Sequence, residues 1–325
     1  MLRQRRARPP AAFSEPAMIE TSQNRASTYH PGELSVQKQA GVRQMADRIG
    51  RSIRSAIPPA ALDFLSSQPM VVVGSVERDQ RVWASLLTGA PGFLEAVKEQ
   101  TLRIAARPSP GDPLGANLAE NGQLGLIVIE FATRRRMRLN GRAEIGPDGV
   151  IYVHAQQVYA NCPKYIQTRT WTLKAPEPQV SPIVHRQTCL VEEQQQWIRE
   201  ADTFFIASHH SDGGADASHR GGNPGFVRLL SAHRLVWPDY PGNMMFHSLG
   251  NIAANPQAGL LFIDFETGRT LQLTGRARII WDKERTAEFA GAERLVEFDI
   301  EEVVEIAGAH SLQWCFGGYS NFNPA

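Results

Sequence analysis

In the segment "DASHRGGNPGFV" (216–227), a serine, a histidine and an arginine are followed at once by a glycine-rich stretch. Arginine offers a planar fork of hydrogen-bond donors, serine offers a hydroxyl group, and glycine lets a ligand approach the backbone amides closely. These are the groups that a phosphate dianion needs. The segment therefore predicts an anion-binding site that includes Ser218, Arg220 and Gly221.

A second segment, "PGNMMFHSLGN" (241–251), predicts a helix that begins near residues 243–246. Ser248 would lie close to the first turn of that helix. The N-terminal end of a helix attracts anions, because its backbone N–H groups are unpaired and its dipole is positive there. Asn243 and Ser248 are therefore candidates for contact with the same phosphate group.

A third segment, "QVYANCPKYIQTRTW" (157–171), carries two cations five residues apart, Lys164 and Arg169, with Tyr165 beside the first. Pro163 favours the first turn of a helix, so the segment predicts a short helix that closes the first half of the chain. A solvated helix that leads to a linker is the simpler interpretation. The alternative is that these cations complete a site in the second half, whose end has no similar segment.

Composition limits the class of protein. The chain has 325 residues, 42% of them hydrophobic and 21% charged, and its formal net charge is +1. These values are typical of a globular protein, and the balanced charge argues against a nucleic-acid-binding protein. No apolar run approaches the roughly 20 residues that a membrane span requires. The three cysteines form no CxxC pair, which favours neither disulfides nor a zinc site and predicts a reducing, cytoplasmic location.

The chain contains an internal duplication. When residues 125–145 are aligned with residues 259–279, 11 of the 21 positions are identical. A unit that occurs twice indicates two similar domains, which can pair around a pseudo-twofold axis as the subunits of a homodimer do. The predicted boundaries are a disordered tail at 1–32, a first domain at 33–176 and a second at 177–325. Whole chains could also pair further as a homodimer.

The two copies differ where chemistry is expected, because the second is polar at two places where the first is apolar. This asymmetry favours a single functional site in the second copy, although divergence after duplication is an alternative explanation. The aligned pairs are Leu86 with His219, Leu87 with Arg220, Pro113 with His247, and Leu114 with Ser248.

Short β-like segments dominate both halves. Runs such as "MVVVGSV" (70–76), "LGLIVIEF" (124–131) and "LQLTGRARII" (271–280) are separated by glycine, proline and charged residues. This spacing predicts antiparallel barrels or sandwiches with peripheral helices, and therefore a mainly β protein. Ahead of the first run, apolar residues at near-helical spacing predict one helix over 33–56.

Two further clusters have simple interpretations. The segment "RRRMR" (134–138) aligns with "GRTLQ" (268–272), so it predicts a solvated turn more readily than a nucleic-acid site. The segment "SHHSDGGADASH" (208–219) could suggest a metal site, but adjacent histidines on a strand point to opposite faces. A polar hairpin tip is the preferred interpretation, and no metal site is predicted.

These motifs together resemble the pyridoxamine 5'-phosphate oxidase-like family of FMN-binding split barrels, and in particular its tandem members, often called flavin-nucleotide-binding proteins. The resemblance extends from about residue 33 to residue 300. It implies a six-stranded split β-barrel in each half and FMN in a groove between the paired barrels. The motifs that carry it are "DASHRGGNPGFV", "PDYPGNMMFHSLGNIAANPQAGLLFIDF", "LQLTGRARI" and "NCPKYIQTR".

The resemblance also assigns roles to the candidate residues. It implies that segment 217–222 lies along the flavin, that segment 243–248 helps to hold its phosphate, and that "NCPKYIQTR" contributes a cationic pair. The sequence departs from the family pattern "GNNRLDSL", because Met245 occupies the place of an arginine and His247 that of an aspartate. The implied cofactor-binding residues are Ser218, His219, Arg220, Gly221, Asn243, Ser248, Lys164, Tyr165 and Arg169, and the candidates for catalysis are His219 and Arg220.

Two functions from different classes follow from the resemblance. The first is an FMN-dependent oxidoreductase that acts on a small molecule and takes electrons from a nicotinamide cofactor or a partner reductase. The second is a non-catalytic flavin-binding or carrier protein, or a barrel that has lost its cofactor. The retained polar residues 218–220 and Lys164 favour the enzyme, whereas Met245 favours the second function.

Overall fold

The computed structural model describes residues 28–173 and 182–325. Residues 1–27 of the predicted tail (1–32) and residues 174–181, which include most of the proline-rich linker between the two halves, lie outside the described residues. None of the described helices is both long and apolar enough to cross a membrane. The elements of the first half are α1 (Pro31–Gln39), α2 (Arg43–Gly50), a 3-10 helix (Pro59–Ala61), α3 (Leu62–Ser66), β1 (Met70–Val76), β2 (Val82–Thr88), β3 (Leu94–Lys98), β4 (Thr101–Ile104), α4 (Leu114–Glu120), β5 (Gln123–Glu130), β6 (Arg135–Ile145), β7 (Ile151–Ala160) and β8 (Thr168–Leu173). The elements of the second half are β9 (Ile183–Gln187), α5 (Glu192–Glu200), β10 (Thr203–His210), β11 (Gly214–Gly221), β12 (Arg228–Ser231), β13 (Arg234–Asp239), α6 (His247–Ala254), β14 (Gln257–Ile263), β15 (Thr270–Ile280), α7 (Lys283–Ala287), β16 (Arg294–Ala307) and β17 (Leu312–Gly318).

Each half is built around one antiparallel sheet, and the two sheets have the same strand order. The order is β2-β1-β5-β6-β7-β4-β3 in the first half and β11-β10-β14-β15-β16-β13-β12 in the second, where β9 also pairs with β16. Within the described residues neither sheet closes on itself, as expected for a split barrel. The prediction of a mainly β protein with two tandem split barrels is therefore confirmed.

Alternate residues along the strands fill the interior of each barrel. Valine, leucine and isoleucine side chains from β1, β4, β5 and β7 form the buried core of the first half. The equivalent strands build the second core, to which the packed rings of Phe204, Trp237 and Phe262 contribute. This burial follows from the opposite directions in which successive side chains of a strand point.

The two sheets pack against each other across a third buried cluster, to which strands of both halves contribute. Two glycines at equivalent positions of the duplication allow the close approach. A Cβ atom at Gly125 would lie 2.4 Å from the Cα of Asp216, and one at Gly259 would lie 2.7 Å from the Cα of Trp83. Because Asp216 and Trp83 are also aligned in the duplication, the same contact occurs twice around a pseudo-twofold axis.

The closing strands of the two halves form a small sheet of their own. β17 runs antiparallel to β8, with Trp314 opposite Trp171. This pairing corrects the interpretation that only the first half has a closing segment. The two strands share little sequence beyond the tryptophan, so their equivalence becomes visible only when the halves are assembled.

The N-terminal region forms two helices, whereas the sequence predicted a single helix over 33–56. Gly41 separates α1 from α2 and has a φ of +72°, a left-handed conformation that ends helices and favours glycine. α1 begins at Pro31, inside the range predicted as tail, and Tyr29 ahead of it is buried. α1 packs against α6, which brings the N-terminal region close to the second half.

Candidate functional site

A cavity of about 140 Å³ lies between the two halves, beside β11 and the start of α6. Of the nine residues predicted to bind a ligand, seven line this cavity. They are Tyr165, Ser218, His219, Arg220, Gly221, Asn243 and Ser248. Arg136 and Arg138 of the first half also line it, although neither was predicted. We call the cavity the arginine site and define it by Arg136, Arg138, Ser218, His219 and Arg220.

The arginine site takes part of its charge from a segment for which the sequence predicted a solvated turn. Arg136 and Arg138 lie on β6, where alternate side chains point to the same face. Met137 and Leu139 point into the core of the first barrel, so the two arginines face the second half. Arg138 is buried and lies 3.3 Å from the carboxylate of Asp216 on β11. The solvated-turn prediction is wrong for these two arginines, and their alternation with apolar residues was the available signal.

Two arginines of the site form no ion pair in the described part of the chain, although the charge of Asp239, which lines the same cavity, acts on Arg220. Among the described residues, no carboxylate oxygen lies within 4.0 Å of the guanidinium nitrogens of Arg136 or Arg220. Arg220 donates from Nη1 to the hydroxyl of Ser218 at 2.7 Å, and its Nε is buried without a partner. Burial lowers the pKa of Arg136 to about 10 and also lowers the pKa of Arg220. Since a partly desolvated cation is stabilised when an anion binds beside it, this arrangement of half-buried arginines suits an anionic ligand.

His219 is held as a neutral imidazole. Its Nδ1 lies 3.0 Å from Nη1 of Arg136, and because a guanidinium group only donates, Nδ1 must accept. The proton of the neutral ring is then on Nε2, which is buried without a partner. Burial, reinforced by Arg136 and Arg220, lowers the pKa of His219 well below its ordinary value. His219 can therefore donate a hydrogen bond to a ligand but does not readily carry positive charge.

The predicted helix in the loop region is formed, and it begins at His247, one residue before Ser248. The hydroxyl of Ser248 donates to Oδ2 of Asp216 at 3.1 Å. The side-chain oxygen of Asn243 accepts from the backbone N–H of Met245 at 3.1 Å. Both predicted side chains thus line the cavity; Asn243 stabilises the backbone of the loop, and Ser248 bonds to the side chain of Asp216.

The backbone at the edge of the cavity adopts an uncommon conformation. Tyr165, Met244 and Phe246 have φ values between +61° and +64°, and they are three of the five non-glycine residues with positive φ in the described chain. Such residues cost of order 1–3 kcal/mol each and cluster at functional sites. The hydroxyl of Tyr165 donates to the carbonyl of Pro241 at 3.1 Å, and its ring lies 5.1 Å from that of Tyr240. These contacts tie the first half to the loop ahead of α6.

The helix predicted at Pro163 does not form. Residues 161–167 adopt turn and irregular backbone and lead directly into β8. The carbonyl groups of Cys162 and Ile166 accept hydrogen bonds from Arg136 and Arg134, each at 2.9 Å. In a helix these carbonyl groups would accept hydrogen bonds from backbone N–H groups, whereas here they accept from the two arginine side chains.

The predicted cationic pair, Lys164 and Arg169, does not line the arginine site. The ammonium group of Lys164 lies 5.6 Å from the ring of Phe322. Arg169 donates from Nη2 to both carboxylate oxygens of Asp202 at 2.7 Å, and its guanidinium lies 4.1 Å from the ring of Phe265. Because β8 directs Arg169 into this buried ion pair, its charge is already compensated. The arginines of β6 provide the first half's cations instead.

The two departures from the family pattern have partners in the N-terminal region. Met245 is buried and packs in one cluster with Tyr29 and Ala46. His247 is hydrogen-bonded through Nδ1 to Oε1 of Glu33 on α1. The N-terminal region therefore covers both positions, with an apolar contact at one and a polar contact at the other.

The duplication creates a second, pseudo-equivalent location between β2 and β15. Ser85 and Gln272 occupy there the positions that Ser218 and Arg138 occupy at the arginine site. Gln272 donates to Ser85 at 3.0 Å and to Asp112 at 3.2 Å, and Ser85 donates to Asp112 at 2.6 Å. Burial raises the pKa of Asp112 to about 6. We call Ser85, Asp112 and Gln272 the glutamine site, whose polar groups bond mainly to one another.

Among solved structures, several small proteins resemble part of the chain. HupZ from Group A Streptococcus matches at 12% identity with a TM-score of 0.29, over 40% of this chain and 98% of that chain. An FAD-binding protein from Mesorhizobium loti matches at 13% identity with a TM-score of 0.29, over 39% of this chain and 98% of its own. A NimC/NimA family protein from Clostridium acetobutylicum matches at 10% identity with a TM-score of 0.29, over 38% and 92% respectively.

Comparison with protein families gives two matches to one family model. No curated protein matches the chain. The family model described as pyridoxamine 5'-phosphate oxidase matches residues 57–179 and again residues 190–311. These ranges contain the seven equivalent strands of each sheet, leave out β9, and together cover most of the chain. The chain therefore belongs to the pyridoxamine 5'-phosphate oxidase family and carries the family's domain twice in tandem.

Proposed function

We propose that the protein binds FMN at the arginine site and acts there as an oxidoreductase on a small molecule. The proposal rests on one observation above all: in a member of this family, the half-buried Arg136 and Arg220 line one cavity and form no ion pair within the described part of the chain. A phosphate dianion supplies the negative charge and accepts hydrogen bonds from the guanidinium donors. Because the glutamine site has no such cations among its defining residues, we propose one FMN per chain.

The unpaired polar atoms of the cavity lining support a phosphorylated, polar ligand. Buried polar atoms are nearly always hydrogen-bonded in folded proteins, so unpaired ones mark places where a ligand can bond. Two belong to side chains that donate, one is an amide oxygen that accepts, and the fourth is an imidazole nitrogen whose ring is already bonded to Glu33 through its other nitrogen. They are Nε of Arg220, Nε2 of His219, Nε2 of His247 and Oδ1 of Asn161. A phosphate with a hydrogen-bonding ring system offers partners of both kinds.

The chain's own residues would bind and orient the cofactor. When bound, FMN supplies the redox chemistry, because its isoalloxazine ring accepts and releases a hydride or single electrons. Arg136, Arg220 and Ser218 are the proposed phosphate ligands. His219 can stabilise developing negative charge by donating from Nε2 while the ring stays neutral. Tyr165, whose hydroxyl donates to the carbonyl of Pro241, would lie at the edge of the bound cofactor.

A flavin carrier without catalysis is the second candidate function. The contact between Tyr165 and Pro241 favours it, since a closed edge would hold a flavin while leaving little access for a substrate. The two candidates share the same cofactor site and differ in whether a second molecule reaches the flavin.

The visible absorption spectrum of the purified protein tests the proposal. We expect bands of oxidised flavin, either in the protein as purified or after FMN is added. A colourless protein that also fails to bind FMN would contradict both candidates. Anaerobic mixing with NADH or NADPH then separates them: bleaching of the flavin bands supports the oxidoreductase, whereas an unchanged spectrum in a protein that dithionite bleaches supports the carrier.

A further inference from the structure

A groove of about 600 Å³ lies on the second half, between α5 and the loop that joins β14 to β15. Buried residues from β8 and from the start of β10 form its base, and exposed carboxylates form its rim. Among the described residues, none lines both this groove and the arginine site, so the two are separate. We call it the acidic groove and define it by Arg169, Glu200, Asp202, Thr203 and Glu266.

Two polar atoms at the base of the acidic groove have no hydrogen-bond partner in the described chain. They are Nη1 of Arg169 and Oγ1 of Thr203, and the two residues are only 7% and 3% exposed. Nη2 of Arg169 already donates to both carboxylate oxygens of Asp202, so its charge is compensated while Nη1 keeps free donors. Buried polar atoms are nearly always hydrogen-bonded in folded proteins. These two atoms are therefore suited to a ligand oxygen, such as an amide carbonyl, which can accept two hydrogen bonds.

The acidic groove carries an excess of negative charge. Six carboxylates and two arginines line it, which gives a formal charge of −4. Arg269 forms ion pairs with Glu193 at 2.7 Å and with Asp264 at 3.3 Å, and Glu192 lies 2.9 Å from Arg199. Together with the arginine–aspartate pair at the base, these contacts compensate four of the six carboxylates. The six are Glu192, Glu193, Glu200, Asp202, Asp264 and Glu266.

The other two carboxylates are available to a ligand. Glu200 and Glu266 are exposed and form no ion pair within residues 28–173 and 182–325. Glu200 ends α5 two residues before Asp202, and Glu266 directly follows Phe265, whose ring lies 4.1 Å from the guanidinium of Arg169. Both carboxylates thus lie close to the base of the groove, where they can pair with an ammonium or guanidinium group.

The polar base does not follow from the architecture that the two halves share. By the strand registers, Thr203 corresponds to Met70 of the first half, and Arg169 corresponds to Leu312. Met70 and Leu312 are buried in one apolar cluster with Phe131. Apolar packing therefore occupies the equivalent place in the fold, whereas the second half presents two unpartnered polar atoms to a groove.

We propose that the acidic groove binds a small organic cation that also carries a neutral oxygen acceptor, either an amide carbonyl or a hydroxyl group. The oxygen accepts hydrogen bonds from Nη1 of Arg169 and from the hydroxyl of Thr203. The cationic group pairs with Glu200 and Glu266 at the rim. A carboxylate in place of the neutral oxygen is disfavoured, because the charge of the groove repels it. This site goes beyond the proposed function and does not depend on FMN.

The test is calorimetric titration of the full chain with two probes, L-argininamide and agmatine. Both have a guanidinium and an amino group, and both carry two positive charges at pH 6.5, but agmatine lacks the carboxamide. We expect one argininamide per chain, bound about two- to tenfold more tightly than agmatine, because only argininamide can accept from the base. Thr203→Val keeps the side-chain shape and should weaken argininamide binding by about two- to tenfold without affecting agmatine. Since the hydroxyl has no partner, this variant should not lower the unfolding temperature of the ligand-free protein.

The double variant Glu200→Gln/Glu266→Gln should weaken binding of both probes by about three- to tenfold. The matched control is Glu120→Gln/Glu301→Gln, which makes the same change in charge at exposed residues outside the groove and should keep the wild-type affinity. Absence of saturable argininamide binding, equal affinity for agmatine, or wild-type affinity in the groove variant would overturn the inference. Should Thr203→Val fail to fold, the comparison of the two double variants decides. Because these titrations contain no FMN, either result leaves the proposed function to its own test.

Discussion

The arginine site and the glutamine site occupy equivalent positions of the duplicated fold, yet only one of them is strongly charged. At the arginine site, β11 carries Arg220 and faces Arg138 of β6. At the glutamine site, the same positions of β2 and β15 carry Leu87 and Gln272. A serine is common to both. The comparison teaches that duplication supplied the architecture twice, whereas the residues suited to an anionic ligand occur once.

The difference between the sites extends into the surrounding core. Asp216 on β11 is aligned with Trp83 on β2, which is fully buried against Val304. Tyr159 on β7 takes the place that Val304 has on β16. Full burial of a large apolar side chain contributes about 1.5–3 kcal/mol. The glutamine site therefore gains apolar packing, whereas the arginine site keeps buried charges that lower stability unless a ligand compensates them.

The largest effect should come from giving the arginine site the residues of the glutamine site. The double variant Arg136→Thr/Arg220→Leu introduces the aligned residues, Thr270 and Leu87, and removes two charged hydrogen-bond donors, each worth about 1.5–3 kcal/mol. We expect the affinity for FMN, measured by fluorescence titration, to fall by at least about 100-fold. The variant relieves two partly desolvated cations but also removes the hydrogen bond from Arg136 to the carbonyl of Cys162, so the unfolding temperature of the FMN-free protein should change by only a few degrees. A large loss of thermal stability would indicate that these arginines serve the fold instead.

Arg169 should show the opposite behaviour, because its charge is already compensated by Asp202. The substitution Arg169→Ala leaves a buried carboxylate without its partner, which typically costs about 3–5 kcal/mol. We expect this loss in the free energy of unfolding of the FMN-free protein, measured by urea denaturation. The affinity of the folded protein for FMN should change little. Arg142→Ala, at an exposed arginine, is the control, and an equal loss there would remove the distinction.

Asp112 makes the stability contribution of the glutamine site depend on pH. Burial raises the pKa of its carboxyl group to about 6 from the ordinary value of 3.8, so the folded protein holds this proton more tightly than the unfolded chain. The group therefore lowers stability progressively as the pH rises from about 4 through 6, at about 1.4 kcal/mol per pKa unit. We expect Asp112→Asn to stabilise the protein by about 1–3 kcal/mol at pH 8 and by almost nothing at pH 4. Urea denaturation at the two pH values tests this, and equal changes at both would contradict it.

Lys164 should give the smallest effect, although the sequence marked it as a cofactor ligand. Its ammonium group lies near an aromatic ring and not in the lining of the arginine site. We expect Lys164→Ala to change the affinity for FMN by less than about twofold, which is within the range of an exposed charge. A loss of tenfold or more in the same fluorescence titration would place Lys164 at the cofactor after all.

The architecture could be predicted because it depends on local patterns. The alternation of apolar residues in segments such as 124–131, together with the repeated "GRA" at 141–143 and 275–277, is visible without knowing how the halves meet. The chemistry of β11 and of the loop ahead of α6 was enough to predict that their side chains meet, and the structure places them around one cavity. Pro163 led to the prediction of a helix in segment 161–167. The sequence did not show that the side chains of Arg134 and Arg136 bond to carbonyl groups of this segment and prevent that helix.

The remaining parts of the site depend on contacts between distant segments. Which face of β6 meets β11 is decided by the packing of the two barrels, so Arg136 could not be distinguished from the exposed Arg135 by charge alone. Likewise, the contact between Glu33 and His247 joins residues 214 positions apart in the chain. Sequence periodicity shows that a side chain points away from the core of its own barrel, but it does not show which residues of the other half that side chain contacts.

The number of FMN molecules bound per chain tests the central claim most directly. Titration of the FMN-free protein, combined with native mass spectrometry, measures this ratio for the wild type and for Arg136→Thr/Arg220→Leu. We predict one FMN per chain in the wild type and none in the variant. Two FMN molecules per chain, or one that remains bound in the variant, would contradict a single cofactor site built on Arg136 and Arg220.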